Sequence, residues 1–347
     1  MASQRAGMPR VTLADVAERA GVSTALVSIV MRDAPGASPQ TRERVRQVAG
    51  ELGYQPDRRA RLLRSGRTRL LGVVFSVQHA FHGDLVTGLY AAAEKAGYEL
   101  ALSAITPQRD EQRAVAGLMA ERCEALIVMS LDSSAAQLSE LAARMPLVVL
   151  TRNVRDPDVD VVRNDDRRGL HLAVDHLVEL GHRRIAHLDG GRAPGSAERR
   201  RGYREAMERH GLEAGARVVA GGVTEADGAT AARELLADLP TAVTVFNDRV
   251  ATGLLGVVRG AGLDVPGDLS VLGFDDDRLA RLGYIDLTTV GQDAQALTEL
   301  AVRRAVDRIE GRPVTHPHLV TPPQLVLRGT TGPVRADPGR MSGWGDA

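Results

Sequence analysis

Cysteine is almost missing from this chain. Its 347 residues include one, Cys123, so no internal disulfide can form and a reducing compartment is expected. Lysine is as scarce: Lys95 is the sole example, and arginine carries the positive charge, which reads as a coding bias. The amino terminus has no apolar run of the kind a secretory signal needs, and no stretch is long enough to span a bilayer. The expectation is a cytoplasmic protein with no membrane partner. Catalytic signatures are missing too. No Walker or Rossmann glycine pattern occurs. Ser196 lacks the Gly-x-Ser-x-Gly setting of a hydrolase nucleophile. His171 and His176 are five residues apart and do not share a helix face; His316 and His318 merely flank Pro317 in a loop. Asp275-Asp276-Asp277 has no nearby His or Cys to support a metal. No catalytic residue, metal or cofactor is expected, and the chain reads as no enzyme. Cys123 reads as a small core residue.

Net charge is also zero, with 44 Lys and Arg against 44 Asp and Glu. Taken alone, that argues against a nucleic-acid partner, but the distribution argues for one. Residues 1–69 hold 13 Arg and 6 Asp/Glu, net +7, so the remainder carries −7. A basic head on an acidic body suits only the head to phosphates.

That head has a legible fold. Thr12-Leu-Ala-Asp-Val-Ala-Glu-Arg-Ala20 reads as a helix capped by Thr12, with Asp15 completing a variant capping box. Gly21 supplies the turn, Ser23 caps a second helix, and Thr24 to Met31 form it. Ala17, four before Gly21, leaves room for a close crossing; Val27, six after it, plugs the crossing. This is helix-turn-helix spacing. The second helix of such a motif presents its first residues to base edges in the major groove. A third helix follows, capped by Ser38 with Pro39 in its first turn, running from Thr41 to Leu52 and stopping at Gly53. Next comes Asp57-Arg-Arg-Ala-Arg-Leu-Leu-Arg-Ser-Gly66, too short to be helical alone. It reads as a linker that folds against DNA, with arginines on phosphates and a leucine wedged in the minor groove.

From Arg69 the pattern changes to nine β-rich runs, at 70–76, 98–105, 125–130, 147–152, 184–189, 216–221, 242–247, 270–275 and 288–292. Most are continuous Val, Ile and Leu, as strands buried on both faces should be. Helical segments ending in Gly lie between them, including 84–97, 167–181, 198–211 and 249–262. This alternation predicts doubly wound parallel sheets. Nine strands exceed one comfortable sheet, so two lobes are expected, with crossings near 165, 291 and 321 and a ligand cleft between them. No internal repeat stands out.

The head string Thr12-Leu-x-Asp-Val-Ala, Ala20-Gly-Val-Ser, Val27-Ser28, Ser38-Pro-x-Thr-Arg-x-x-Val45, Leu52-Gly-Tyr-x-Pro56 and Ala60-x-x-Leu63 resembles the lactose/galactose repressor (LacI/GalR) family. The body continues the resemblance with Gly181-His-Arg-Arg-Ile-Ala-His-Leu-Asp189, Arg199-x-x-Gly-Tyr203, Phe246-Asn-Asp248, Pro266-x-Asp-Leu-Ser-Val-Leu-Gly-Phe-Asp-Asp276 and Thr288-Thr-Val-x-Gln-Asp293. Together they span Val11 to about Thr330. The body alone resembles periplasmic sugar-binding proteins.

The resemblance implies an all-α helix-turn-helix head and an α/β body of two doubly wound parallel-sheet lobes, of periplasmic-binding-protein type. The expected boundaries are 10–56 for the head and 57–68 for the hinge. They are 69–165 for the N-terminal lobe, completed by about 292–321, and 166–291 for the C-terminal lobe, completed by about 322–331. A disordered tail is expected over 332–347. The implied DNA-facing set is Thr12, Ser23, Thr24, Ala25, Ser28 and Ile29 from the head, with Arg58, Ala60, Arg61 and Leu63 from the linker. Many family members carry Arg or a bulky polar residue where Ala25 and Ile29 stand; these two can touch thymine methyls but cannot bond guanine or adenine bidentately.

The implied effector set is Arg199, Asn247, Asp275 and Gln292. Phe81 and His82, read as lying in the loop after the first strand with His79, add an aromatic wall and a hydrogen-bonding group. The competing reading of Arg199 and Asp275 is a lobe-bridging ion pair without a ligand. The implied function is a homodimeric, effector-responsive transcriptional regulator, a repressor binding operator DNA and a small effector, with a sugar as first choice. The alternatives are a co-repressor-type regulator taking a nucleobase or nucleoside, and a sugar-binding protein with no regulatory role.

Overall fold

The computed structural model describes residues 11–54, 67–129, 133–156 and 158–335, and it forms two compact units divided at Thr68 and Arg69. Most of the expected hinge, including Arg58, Ala60, Arg61 and Leu63, lies outside the described residues.

In the first unit three helices enclose a small core. They are α1 (Leu13–Ala20), α2 (Thr24–Met31) and α3 (Pro39–Glu51). Each starts on the residue whose side chain can hold an otherwise unbonded N–H. Thr12 and Asp15 form a reciprocal box, Ser23 Oγ accepts from Leu26 N at 3.2 Å, and Ser38 Oγ accepts from Thr41 N at 3.2 Å. Gly21 ends α1 at φ +66°, a left-handed conformation that a side chain would strain. Val16, Ala17, Ala20, Val27, Val30, Val45 and Ala49 are buried together. Ala17 and Val27 sit where the spacing placed them.

The second unit alternates strands and helices. Its first part contains β1 (Leu70–Ser76), α4 (Phe81–Lys95), β2 (Glu99–Ile105), α5 (Glu111–Ala120), β3 (Ala125–Met129), α6 (Ala135–Ala142), β4 (Leu147–Leu150) and β5 (Asp160–Asn164). Then follow α7 (Asp166–Glu179), β6 (Ile185–Asp189), α8 (Ser196–Arg209), β7 (Arg217–Ala220), α9 (Glu225–Leu236), β8 (Ala242–Val245), α10 (Asp248–Gly260), β9 (Ser270–Asp275) and β10 (Thr288–Gly291). The chain closes with α11 (Ala294–Ile309), β11 (His318–Thr321) and β12 (Gln324–Val326).

Two six-stranded sheets result, ordered β11-β5-β4-β3-β1-β2 and β12-β10-β9-β8-β6-β7. Every pairing is parallel except β10 with β12. Strands β5, β11 and β12 were not among the nine runs expected, because none of them is a continuous apolar run. Two are short sheet-edge strands with exposed residues, and β5 begins and ends on Asp160 and Asn164. His318 accordingly opens β11 and is no loop residue.

The central strands are covered on both faces, as their apolar runs require. In the first sheet α4 and α11 bury Leu85, Leu89, Leu297 and Ala301 on one side; α5 and α6 bury Leu118 and Leu138 on the other. In the second, α7 and α8 bring Leu170, Val174 and Tyr203, while α9 and α10 bring Leu235, Leu254 and Val258. Helices α9 and α10 meet backbone to backbone. A Cβ at Gly228 would lie 2.1 Å from the Val250 carbonyl oxygen, and one at Gly253 would lie 1.9 Å from that of Glu225.

Both lobes repeat one winding order in the chain: second strand, first, third, fourth, fifth. No sequence repeat reveals this, because buried strands need only be apolar. The chain passes between lobes at 164–166, 291–294 and 321–324, so the carboxyl ends of both sheets turn toward each other. Two hydrogen bonds span the gap: Arg249 Nη1 to the Gln78 carbonyl, and Asn153 Nδ2 to Glu198 Oε1 at 3.4 Å.

The first four residues of the expected tail, 332–335, are held in place; 336–347 lie outside the described residues. Gly332 N donates to Ser270 Oγ at 3.1 Å, Val334 N to the Leu180 carbonyl at 3.1 Å, and Arg335 pairs with Asp264 and Asp268 at 2.8 Å. Residues 332–335 are therefore fastened to the C-terminal lobe, because their backbone and one guanidinium find partners there.

Candidate functional site

Open parallel sheets bind ligands beyond the carboxyl ends of their strands, at the point where strand order reverses. In the C-terminal lobe that point lies between β6 and β8, beside β9. The side chains gathered there are Asp189 from β6, Asn247 after β8, Asp275 from β9, Gln292 after β10, Arg199 from the first turn of α8 and Asp166 from the start of α7.

Arg199 is the centre. Its guanidinium lies over the Phe274 ring at 3.6 Å and the Phe246 ring at 4.7 Å. Its Nη1 donates to the Phe246 carbonyl. Nε lies 3.3 Å from Asp166 Oδ1, and Nη2 lies 3.4 Å from Asp275 Oδ1. The planar cation is thus held by aromatic faces and two buried carboxylates. Gln292 Nε2 donates to Asp275 Oδ1 at 2.7 Å. Arg199 and Asp275 both belong to the C-terminal lobe, so the pair does not bridge lobes.

Burial pushes the Asp275 carboxyl up to about 7, against the opposing pull of Arg199. Asp166 is raised for the same reason. Two carboxylates share one guanidinium, so charge is not balanced locally. Asp275 and Asp276 also adopt φ of +113° and +55°. Such backbone in non-glycine residues concentrates at functional sites.

The loop carrying Asp275 is locked from below by Asp248. Its Oδ2 accepts from Asp277 N at 2.9 Å and its Oδ1 from Thr289 Oγ1 at 2.6 Å. Burial and the neighbouring acids Asp275 and Asp277 raise its pKa well above the carboxylate range. On the other side Asp189 takes Ser196 Oγ at 2.6 Å and Arg200 Nη1 at 2.6 Å. Asp166, Asp189 and Asp248 were not in the expected effector set. Asp189 closes a strand, the signal that selected Asp275.

The structure brings Arg199, Asp275 and Gln292 together. Asn247 stands beside them but has a structural role, since its Oδ1 caps α10 through Val250 N at 2.8 Å and its Nδ2 lies 3.4 Å from the Val223 carbonyl. Phe81 and His82 are not in a loop. They open α4, where Phe81 joins the core of the N-terminal lobe and His82 is 4% exposed. His82 Nδ1 lies 3.1 Å from Ser76 N, and burial, aided by His79, lowers its pKa to about 3. The neutral imidazole thus ties the first turn of α4 to the end of β1.

Asn164, at the first lobe crossing, is 1% exposed, and neither side-chain polar atom has a partner among the described residues. His187 in β6 is likewise buried, with Nε2 unpartnered among the described residues and burial lowering its pKa to about 4. A separate hollow of about 310 Å³ opens between Met145 and Arg308. Its buried acid Asp160 is already bound by Arg304 and Arg308 at 2.6 Å, so it offers no free group.

On the head, Thr24 and Ala25 are exposed and Ser28 and Ile29 half-buried. Thr12 and Ser23 serve as caps, with Thr12 Oγ1 bonded to Asp15 Oδ2 at 2.8 Å.

Comparison with known proteins follows both units. Residues 12–57 match the description "Bacterial regulatory proteins, lacI family", and residues 174–331 match "Periplasmic binding protein-like domain". The HTH-type transcriptional regulator GalR of Escherichia coli is 35% identical over 324 residues, 91% of this chain and 94% of that protein. A LacI transcriptional regulator from a Rhodococcus species is 52% identical, covers 76% of this chain and 99% of its own, and superposes with a TM-score of 0.74. The lac repressor dimer bound to operator and the anti-inducer ONPF is 30% identical over 93% of this chain and all of that one, with a TM-score of 0.81. With head, lobes and residues all in agreement, the chain belongs to the LacI family of DNA-binding transcriptional regulators, a helix-turn-helix head joined to an effector-binding body.

Proposed function

We propose that this protein is a homodimeric repressor whose cleft binds a small polyhydroxylated effector, a sugar, and whose operator affinity follows from that binding. The observation that carries the reading is the cluster of Arg199, Asp275 and Gln292 at the carboxyl edge of β9 and β10. Planar groups with paired donors and acceptors suit vicinal hydroxyls, which both donate and accept. A related regulator, CelR, has been solved as a cellobiose complex and is 30% identical over 92% of this chain. A repressor role is supported by relatives named as transcriptional repressors, one of them 30% identical over 92% of this chain.

The effector acts only through its unequal affinity for two lobe arrangements. Arg249 to Gln78 and Asn153 to Glu198 are contacts across the gap that a lobe movement has to break or remake. In the proposed dimer two heads sit on a palindromic operator one helical turn apart, and two hinge segments carrying Leu63 meet at its centre. Lobe movement strengthens or weakens that meeting.

A thermal-shift screen of sugars and nucleosides tests the effector class. The expected hit is a sugar that also changes the gel shift of DNA upstream of the gene. A nucleoside hit refutes the sugar reading; a hit that leaves DNA binding unchanged refutes the coupling.

A further inference from the structure

We propose that the recognition helix reads its operator through thymine methyl groups. The proposal rests on α2 entering the major groove, and it specifies what is read there. Helix α2 is Thr24-Ala-Leu-Val-Ser-Ile-Val-Met31, without one Lys, Arg, Asn, Gln, Asp or Glu. Guanine and adenine are recognised by paired donors and acceptors on such side chains. Here none is available from the helix. Three arginines of the head are bonded within the head itself. Arg32 Nε donates to the Ser28 carbonyl at 3.0 Å, and Arg42 and Arg46 hold Asp33 at 3.0 and 2.9 Å.

The surface α2 does offer is apolar. Thr24 and Ala25 are exposed in its first turn. Ile29, one turn on, is half-buried and rests against the 33–38 loop, its Cδ1 only 3.8 Å from where a Gly36 Cβ would stand. Gly36, at φ +119°, gives that loop a backbone conformation that a side chain would strain. Thr24, Ala25 and Ile29, which α2 leaves exposed or partly exposed, end in methyl groups and carry no charge or amide. The one apolar feature of a base edge in the major groove is the thymine C5-methyl. Thr24 and Ser28 hydroxyls can add single bonds, which tolerate either partner base.

The test starts with binding-site selection from random duplexes by the full-length protein at low salt, near about 50 mM. There phosphate contacts raise affinity whichever way the effector acts. Each thymine of the selected half-site is then replaced by uracil, which removes a methyl and nothing else. The expected loss is about fourfold per contacted methyl, the equivalent of burying one CH₂. Thr24→Ser, which deletes one methyl from an exposed residue and keeps the fold, should erase the penalty at one position. Ile29→Ala should erase it at another, with helix content checked by circular dichroism. A converged site with no uracil penalty overturns the proposal while leaving groove binding intact. A penalty unchanged in Thr24→Ser and in folded Ile29→Ala also overturns it. A pool that never converges overturns both this proposal and the sequence-specific head.

Discussion

Asp275→Asn separates the cost of a buried charge from its use. In the folded protein the Asp275 carboxyl sits at about 7, against an ordinary 3.8, chiefly because it is buried. The native state therefore keeps a proton that the unfolded chain releases. Stability falls as pH rises from about 4 to about 7, because the native state binds the extra proton over that interval. With these two values, keeping Asp275 folded costs about 2 kcal/mol at pH 5 and about 4 kcal/mol at pH 7.5. Asparagine carries no such cost. It also leaves Arg199 paired with Asp166 at 3.3 Å, one cation to one carboxylate. The variant should therefore gain about 2–3 kcal/mol relative to wild type between pH 5 and pH 7.5. Urea unfolding at equal protein concentration measures this, with operator binding retained and the effector response lost. An unchanged difference between the two pH values would mean that Arg199 already ionises Asp275 at pH 5, and that attraction outweighs burial.

Arg199→Ala should act in the opposite direction. It strands Asp275 without its cation and leaves Asp166 only the charge of Arg163, and the expected loss is about 3–5 kcal/mol in urea unfolding, largest above pH 7. Gly253→Ala drives a Cβ to 1.9 Å from the Glu225 carbonyl oxygen, so α9 and α10 must separate. Overpacking of this kind costs about 1–3 kcal/mol, and a melting temperature equal to wild type would show that the helices are loosely held. Leu63→Ala should weaken operator binding while leaving weak, salt-sensitive binding to random DNA, as a gel shift over a salt series would show. Equal operator affinity would remove Leu63 from the minor groove.

The caps and turn of the head were readable in place, although its third helix runs from Pro39 to Glu51 rather than from Thr41 to Leu52. Its caps and turn depend on neighbours three or four positions away, so Thr12, Gly21, Ser23 and Ser38 declare themselves locally. The two-lobed α/β body was readable as a class, since β1, β3 and β9 are continuous apolar runs. Strands β5, β11 and β12 were not: β5 carries Asp160, Arg163 and Asn164 although it is an inner strand, and β11 and β12 are short edge strands, so pairing rather than an apolar run makes them strands. The places of Phe81 and His82 were misread for a related reason. The first turn of α4 has no side-chain cap, so nothing local announces it.

Local chemistry alone determined a three-helix head followed by an arginine-rich linker, an acidic body of buried parallel strands, and a recognition helix lacking any charged or amide side chain. Tertiary structure alone decided which groups meet. Arg199 reaches Asp166 across 33 positions and Asp275 across 76, with aromatic rings from β9 and the end of β8 beneath it. No local pattern encodes that meeting, because it follows from how the crossovers wind around the sheet. The same winding raises Asp275 toward neutrality and commits Asn247 to a cap, through burial and partners that exist only once the lobe has folded.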